Sequence, residues 1–161
     1  LLLLRRDARA ALALGPRVLV LSPTRELAVQ THAVLQALAQ ALNKGAAADL
    51  AVALAVGGLS LAQQERALAQ APDVLVATPG RLIDLLRNAR GVALEHCEAL
   101  VLDEADRLLD AGFRDELQEL LRQLGPRPRQ TLLFSATLSP DVEALVKQAC
   151  KTPPARVHMQ G

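Results

Sequence analysis

Residues 99–106, Ala99-Leu100-Val101-Leu102-Asp103-Glu104-Ala105-Asp106, join an apolar run directly to a cluster of three carboxylates. Four consecutive apolar residues predict a strand that is buried on both faces, as the strands of parallel sheets are. The acids that follow predict the first turn of a helix, because the positive end of the helix dipole favours negative side chains. A buried strand that leads straight into a helix is the repeating unit of an α/β fold.

The same alternation of strand and helix continues along the whole chain. Predicted strands cover residues 17–22, 49–56, 73–77, 99–102 and 130–134, with a last short strand at 155–158. Predicted helices cover residues 25–43, 60–70, 79–88, 104–109, 114–124 and 140–149. We therefore expect one α/β domain over residues 1–161, with a parallel sheet that carries helices on both faces.

The composition narrows the possible functions. Of the 161 residues, 51% are hydrophobic and only 1% are aromatic, with two Phe, no Trp and no Tyr. This composition excludes binding modes that need an aromatic platform, such as base-stacking sheets and grooves or aromatic cages for cations. The formal net charge of +1 excludes a strongly basic or acidic tail. It leaves room for a few local phosphate contacts that backbone amides assist.

The cysteines and the apolar runs exclude further classes. Cys97 and Cys150 lack the paired spacing of a disulfide framework or a zinc site, which favours two small buried side chains in a reducing, intracellular compartment. No apolar run reaches the ~18 residues of a membrane span, so we expect no membrane partner. Residues 1–4 are all leucine, but Arg5 follows at once and no basic region precedes them, which favours the end of a helix over a signal peptide.

Polar residues follow each of the first five predicted strands, and the carboxyl ends of parallel strands are where such sheets bind ligands. Asp103 can hold a hydrated Mg²⁺ that bridges nucleotide phosphates, and Glu104 can orient an attacking water. Ser135 and Thr137 can donate hydrogen bonds to a neighbouring carboxylate such as Asp106. The alternatives are an acidic helix N-terminus for the carboxylates and helix capping for the hydroxyls.

Three other turns share the components of a phosphate-binding surface: hydroxyls, guanidinium groups, glycine backbone and helix N-termini. Taken singly, each glycine is explained by a tight turn and each arginine by a solvated charge or an ion pair. Taken together on one sheet edge, they favour a nucleic-acid strand held by its backbone. The residues are Thr24, Arg25, Gly57, Gly58, Thr78, Gly80 and Arg81.

These turns together resemble the first RecA-like domain of the DEAD-box ATP-dependent RNA helicases. The motifs that carry the resemblance are Pro23-Thr24-Arg25-Glu26-Leu27-Ala28, Gly57-Gly58, Thr78-Pro79-Gly80-Arg81-Leu82, Asp103-Glu104-Ala105-Asp106 with residues 107–113, and Ser135-Ala136-Thr137. The resemblance implies a RecA-like, P-loop NTPase-type fold, with ATP and Mg²⁺ as cofactors and RNA as partner.

The resemblance also implies a role for each site residue. Asp103 would hold Mg²⁺ through water, and Glu104 would position the hydrolytic water. Asp106 would bind Ser135, Thr137 and a second RecA-like domain of the parent chain. The sugar-phosphate backbone of RNA would be held by Thr24, Arg25, Gly57, Gly58, Thr78, Pro79, Gly80 and Arg81.

The sequence departs from the family pattern at its beginning. The phosphate-binding loop that ends in Gly-Lys-Thr and the adenine-sensing glutamine segment should precede Leu1, and the only glycine before the first strand, Gly15, precedes a proline. We therefore expect a domain truncated at its N-terminus, with an unpaired strand edge and exposed apolar surface. We also expect the isolated chain neither to bind nor to hydrolyse ATP.

The biological setting and two alternatives stay open at this point. Residues 18–30 and 55–88 are most similar to the nucleolar, ribosome-biogenesis branch of the family, which implies a nuclear or nucleolar location. The alternatives are a helicase that acts on DNA and a RecA-like nucleic-acid-binding remnant without catalysis. A comparison of stimulation by RNA and by DNA separates the first alternative.

Overall fold

The computed structural model describes residues 15–44, 50–88 and 92–159. Within them, five strands alternate with six helices and form one sheet. The strands are β1 (Val18–Leu21), β2 (Val52–Ala55), β3 (Val74–Ala77), β4 (Ala99–Leu102) and β5 (Gln130–Leu133). The helices are α1 (Arg25–Asn43), α2 (Leu61–Ala69), α3 (Pro79–Asn88), α4 (Ala105–Asp110), α5 (Arg114–Gln123) and α6 (Pro140–Ala149).

All neighbouring strands pair in parallel, in the order β2-β3-β1-β4-β5. The register brings the last residues of the strands level, since Leu21 lies between Ala77 of β3 and Leu102 of β4. Ala55 and Leu133 continue this row to the two outer strands. The turns that follow the strands therefore all begin at one edge of the sheet.

Alternating side chains of the strands enter two apolar layers, as the period of a strand requires. On one face, the leucines of β1 and β4, such as Leu19 and Leu100, join the apolar sides of α3, α4, α5 and α6. On the other face, the valines Val20 and Val76 pack with Ala28 of α1. The predicted α/β fold, with a parallel sheet covered on both faces, is confirmed.

The predicted strand at residues 155–158 is wrong. Within the described part of the chain, residues 150–159 form no strand. Arg156 instead forms hydrogen bonds of 2.6 and 2.8 Å with the Glu143 carboxylate, which ties this segment to α6.

Strand β5 forms one edge of the sheet built by the described residues. Its outward-facing Leu132 is 40% exposed, and Phe134 and Leu138 beyond it are 56% and 50% exposed. These side chains leave apolar surface exposed beside β5. The predicted helix end at residues 1–4 and the predicted strand start at residue 49 lie outside the described residues.

The helices bear on the membrane question. No helix in residues 15–44, 50–88 or 92–159 is long and apolar enough to cross a membrane.

Candidate functional site

The carboxyl edge of the sheet divides into two halves, which the strand order places side by side. The turns after β2, β3 and β1 form what we call the basic half, which contains Thr24, Arg25, Gly57, Gly58, Thr78, Pro79, Gly80 and Arg81. The turns after β4 and β5 form the acidic half, which contains Asp103, Glu104, Asp106, Ser135 and Thr137. The direction of strand addition reverses between β1 and β4, and open α/β sheets bind ligands at such a point.

Backbone hydrogen bonds continue past the strands and fix the start of each turn. Ser22 N donates to Ala77 O at 3.0 Å, and Asp103 N donates to Leu21 O at 3.0 Å. Thr78 N, one turn further along the edge, donates to Ala55 O at 3.0 Å. The functional turns therefore leave the sheet from fixed positions.

Asp103 and Glu104 lie at the junction of β4 and α4. Burial, together with the negative charge of Glu104, raises the pKa of the Asp103 carboxyl above its ordinary value. Glu104 has a left-handed backbone, with φ 48° and ψ 58°. Such a conformation costs a residue with a Cβ roughly 1–2 kcal/mol. The hydrogen bond from Ala105 N to Phe134 O, 2.8 Å long, holds this junction against the end of β5.

The Glu104 carboxylate is paired with Arg107 one turn further along α4. Arg107 Nη1 lies 3.1 Å from Glu104 Oε2. Both side chains are substantially exposed, at 38% for Glu104 and 68% for Arg107. An exposed pair at this spacing contributes little stability. Glu104 is therefore oriented by Arg107 without being locked in place.

Asp106, Ser135 and Thr137 form a hydrogen-bonded cluster between the turns after β4 and β5. Thr137 Oγ1 donates to Asp106 Oδ2 at 3.1 Å, and Asp106 N donates to Ser135 Oγ at 3.3 Å. Ser135 Oγ in turn donates to Thr137 O at 2.8 Å. Burial raises the pKa of Asp106, but hydrogen bonds from Thr137, the Arg107 backbone and Ser135 outweigh it, so the net pKa is lowered.

In the basic half, Arg25 lies directly over Gly58. Gly58 has a φ of +76°, and a Cβ there would overlap Nη1 of Arg25. The guanidinium group of Arg25 can therefore occupy this position only because residue 58 has no side chain. Thr24 caps α1, because its Oγ1 accepts from Leu27 N at 3.2 Å.

Arg81 connects two turns of the basic half. Its Nη1 donates to the carbonyl oxygen of Leu59 at 3.0 Å, which joins the start of α3 to the loop after β2. Gly57, Gly58 and Gly80 leave backbone accessible beside it. Thr78 and Pro79 are buried at the start of α3, below this surface.

Sequence reasoning missed two residues of this edge, Arg107 and Gln64. Gln64 is a buried amide, 4% exposed, that lies four residues before the buried Leu68 on the inner side of α2. A polar side chain at the core position of a helix is the signal that would have singled it out. Arg107 has no such signal, because exposed arginines three residues after an acid are common in helices.

The donor chemistry of the acidic half fits a hydrated magnesium ion. Asp103 and Glu104 are adjacent carboxylates, and burial, with the negative charge of Glu104 as a smaller cause, raises the pKa of Asp103. Mg²⁺ is bound in proteins through one or two carboxylates, with waters and phosphates as its other ligands. Among the described residues, no group of three or more His, Cys, Asp or Glu side chains could hold a metal ion. A magnesium ion here would take its remaining ligands from water and a bound phosphate.

Comparisons of the sequence and of the fold with known proteins identify a family that this chain matches. A model of the DEAD/DEAH box helicases matches residues 3–145. Over 137 residues, the chain is 53% identical to DEAD-box ATP-dependent RNA helicase 28 of Arabidopsis thaliana and 51% identical to ATP-dependent RNA helicase drs1 of Neurospora crassa. The solved structure of the yeast DEAD-box splicing factor Prp28 is similar, with a TM-score of 0.80 and 38% sequence identity. The predicted RecA-like fold is thereby confirmed.

The chain spans about one sixth of the length of the two curated relatives. The matches extend over 85% of this chain but over 16% of each of the two curated relatives. The similarity to Prp28 extends over 88% of this chain and 32% of the Prp28 chain.

Proposed function

Because the chain belongs to the DEAD/DEAH box helicase family, we propose that it forms part of the ATP-binding domain of an RNA-dependent ATPase that separates short RNA duplexes. The observation that carries this proposal is the division of one sheet edge into a basic half and an acidic half that meet at β1 and β4. One half has the chemistry of a phosphodiester backbone site, and the other has that of a magnesium-nucleotide site.

In the acidic half, we propose that Asp103 holds Mg²⁺ through water and that Glu104 positions the water for hydrolysis. Bound magnesium-ATP would supply the phosphoanhydride bond that is hydrolysed. The left-handed backbone of Glu104 directs its carboxylate from the strand end, and Arg107 restrains that carboxylate at 3.1 Å. Asp103 and Glu104 would thus serve the magnesium and water part of the nucleotide site.

We propose that Asp106, Ser135 and Thr137 relay the state of the magnesium-nucleotide site between the two turns of the acidic half. Their hydrogen bonds join the turn after β4 to the turn after β5. A displacement of the turn that contains Asp103 and Glu104 would therefore reach the turn after β5 through the hydrogen bonds of Asp106. A second RecA-like domain is the proposed partner of Asp106.

In the basic half, the proposed RNA contacts are sequence-independent. Thr24, Arg25 and Arg81 offer one hydroxyl and two guanidinium groups for phosphate oxygens. Accessible backbone at Gly57, Gly58 and Gly80 permits close approach of the sugar-phosphate chain. The buried Thr78 and Pro79 serve by fixing the start of α3, because Thr78 O accepts the first helical hydrogen bond from Leu82 N at 3.1 Å.

The similarity to drs1 supports a role in ribosome biogenesis with a nuclear or nucleolar location, which a fluorescent fusion of the full-length polypeptide tests.

The isolated 161-residue chain is expected to show no RNA-stimulated ATP turnover, because the lysine and amides of a phosphate-binding loop supply most phosphate affinity. Measurable turnover by the chain alone would contradict that expectation.

The test is Glu104→Gln in the full-length polypeptide that carries this sequence. We expect RNA-stimulated ATP turnover to fall at least about a hundredfold, in the range of a lost general base, while ATP affinity stays near the wild-type value. Glu95→Gln is the matched control, because Glu95 is exposed and precedes β4 at the opposite edge of the sheet. Normal turnover by Glu104→Gln would reject its role, and equal stimulation by DNA would favour the DNA-acting alternative.

A further inference from the structure

One buried polar side chain, that of Gln64, has no part in the proposed function so far. Its Oε1 accepts a hydrogen bond from Val56 N at 2.9 Å. Its Nε2 donates to the carbonyl oxygens of Leu59 at 3.3 Å and Ser60 at 3.4 Å. A single carboxamide thus fastens both ends of the loop at residues 56–60, which contains the glycine pair.

The three bonds match what a glutamine can offer, and no other side chain of its length does the same. A neutral amide has an acceptor oxygen and two N–H donors, whereas a carboxylate has no donor and a thioether has only a weak acceptor. Val56 is 0% exposed, so water cannot replace Gln64 as the partner of its N–H. The loop therefore depends on Gln64 for its shape.

The loop at residues 56–60 in turn contacts the guanidinium groups of both arginines of the basic half, Arg25 and Arg81. Leu59 O, which accepts from Gln64, also accepts from Arg81 Nη1 at 3.0 Å. Gly58, in the same loop, lies against Arg25 Nη1 and has a φ of +76°. A rotation of the peptide groups at 58–60 would displace the support of Arg25 and Arg81 together.

We propose that Gln64 is a positioning residue for RNA: it fixes the loop at 56–60 and, through it, the two arginines that bind phosphate. The inference rests on the proposed function, since it needs the basic half to bind an RNA backbone. Gln64 itself is buried and touches no RNA.

The test compares Gln64→Met with Gln63→Met in the full-length polypeptide. Methionine keeps the length of the side chain and removes the hydrogen bonds, and Gln63 is the exposed neighbour on the same helix. The probe is fluorescein-labelled decauridine, with its Kd measured by anisotropy over a series of salt concentrations in the presence of a non-hydrolysable ATP analogue. We expect Gln64→Met to raise the Kd about tenfold, because a displaced arginine would lose one charge-assisted hydrogen bond to an RNA phosphate. Gln63→Met should leave it unchanged.

Two readouts separate positioning from a general loss of stability. The slope of log K against log salt should fall by about 0.7 for each phosphate of the single strand that the protein no longer neutralises. In an Arg25→Ala/Arg81→Ala background, Gln64→Met should cause no further loss of RNA affinity, because it acts through those arginines. If Gln64→Met does not fold, Gln64→Asn carries the same test, since its amide is one methylene too short to reach Val56.

The outcomes distinguish this inference from the proposed function. Loss of RNA affinity in Arg25→Ala/Arg81→Ala, with wild-type affinity and salt slope in a folded Gln64 variant, would overturn the role of Gln64 alone. A further loss of RNA affinity when Gln64→Met is added to Arg25→Ala/Arg81→Ala would overturn it as well. Wild-type RNA affinity in Arg25→Ala/Arg81→Ala would instead overturn the RNA contacts of the basic half.

Discussion

Glu104, the residue proposed to position the hydrolytic water, has a strained backbone. Its φ of 48° lies in the left-handed region, where residues with a Cβ are uncommon. The strand ladder below it and the hydrogen bond from Ala105 N to Phe134 O at 2.8 Å impose this conformation. Backbone strain that persists at a ligand edge is typical of functional sites, where it fixes the direction of a reacting group.

The Asp106 carboxyl gives a residue-scale prediction with a defined pH dependence. Its pKa is lowered in the folded protein, so its contribution to stability is present above the ordinary pKa of an aspartate. That contribution is lost as the pH falls through the lowered value. Thr137→Val removes the donor at 3.1 Å and should move the Asp106 pKa upward, towards the ordinary value.

The measurement is a pH titration of the Asp106 carboxyl carbon by NMR. Thr152→Val is the matched control, because Thr152 is exposed in the segment after α6. It should leave the Asp106 titration unchanged. An unchanged Asp106 pKa in Thr137→Val would show that the hydroxyl does not stabilise this carboxylate.

Prediction from sequence works well where a side chain forms a hydrogen bond with the backbone a few residues away. A serine directly before a helical pattern predicts a cap, and Ser60 Oγ accepts from Gln63 N at 3.4 Å. The left-handed backbone of Glu104 has no such signal, because an acid before a helix is ordinarily an extended N-cap. Gln64 has the signal of a polar residue at a core position of α2, but the sequence does not show which loop its amide supports.

At the scale of elements, α6 depends on a cap at its start. Ser139 Oγ accepts from Val142 N at 3.3 Å, and Pro140 occupies the first turn. Ser139→Ala should lower the free energy of unfolding by about 1 kcal/mol. Ser139→Asp should retain most of the stability, because its carboxylate also caps and favours the positive end of the helix dipole.

Urea denaturation of the three proteins checks this prediction. Equal stability of the serine and alanine forms would mean that α6 begins without help from its cap. α6 holds Leu145 and Ala149 in the core, so its loss would also expose the sheet face that it covers.

The strands are predictable because each is a short apolar run between turn residues. The predicted strand at 155–158 is wrong, because the pair of Arg156 with Glu143 holds this segment against α6. The strand order is also beyond the reach of the sequence pattern. Which strands become neighbours depends on contacts between distant segments, such as β1 with both β3 and β4.

At the scale of the whole molecule, the strand order decides which turns are neighbours at the carboxyl edge of the sheet. β1 lies between β3 and β4, so the turn with Thr24 and Arg25 is the neighbour of the turn with Asp103 and Glu104. The sequence pattern predicts these turns on one edge, and the structure adds that they are sorted into two halves. In the proposed function, RNA and ATP would be coupled across the junction of β1 and β4, where the two halves meet.

The most direct test of this division is a titration of ATP turnover with RNA in the full-length polypeptide. Arg25→Ala, in the basic half, should raise the KM for RNA about tenfold, as expected when a charged hydrogen bond is removed, and leave kcat nearly unchanged. Glu104→Gln, in the acidic half, should abolish kcat and leave the Kd for RNA unchanged. If Arg25→Ala lowers kcat without affecting the KM for RNA, or if Glu104→Gln loses RNA affinity, the two halves do not have separate tasks.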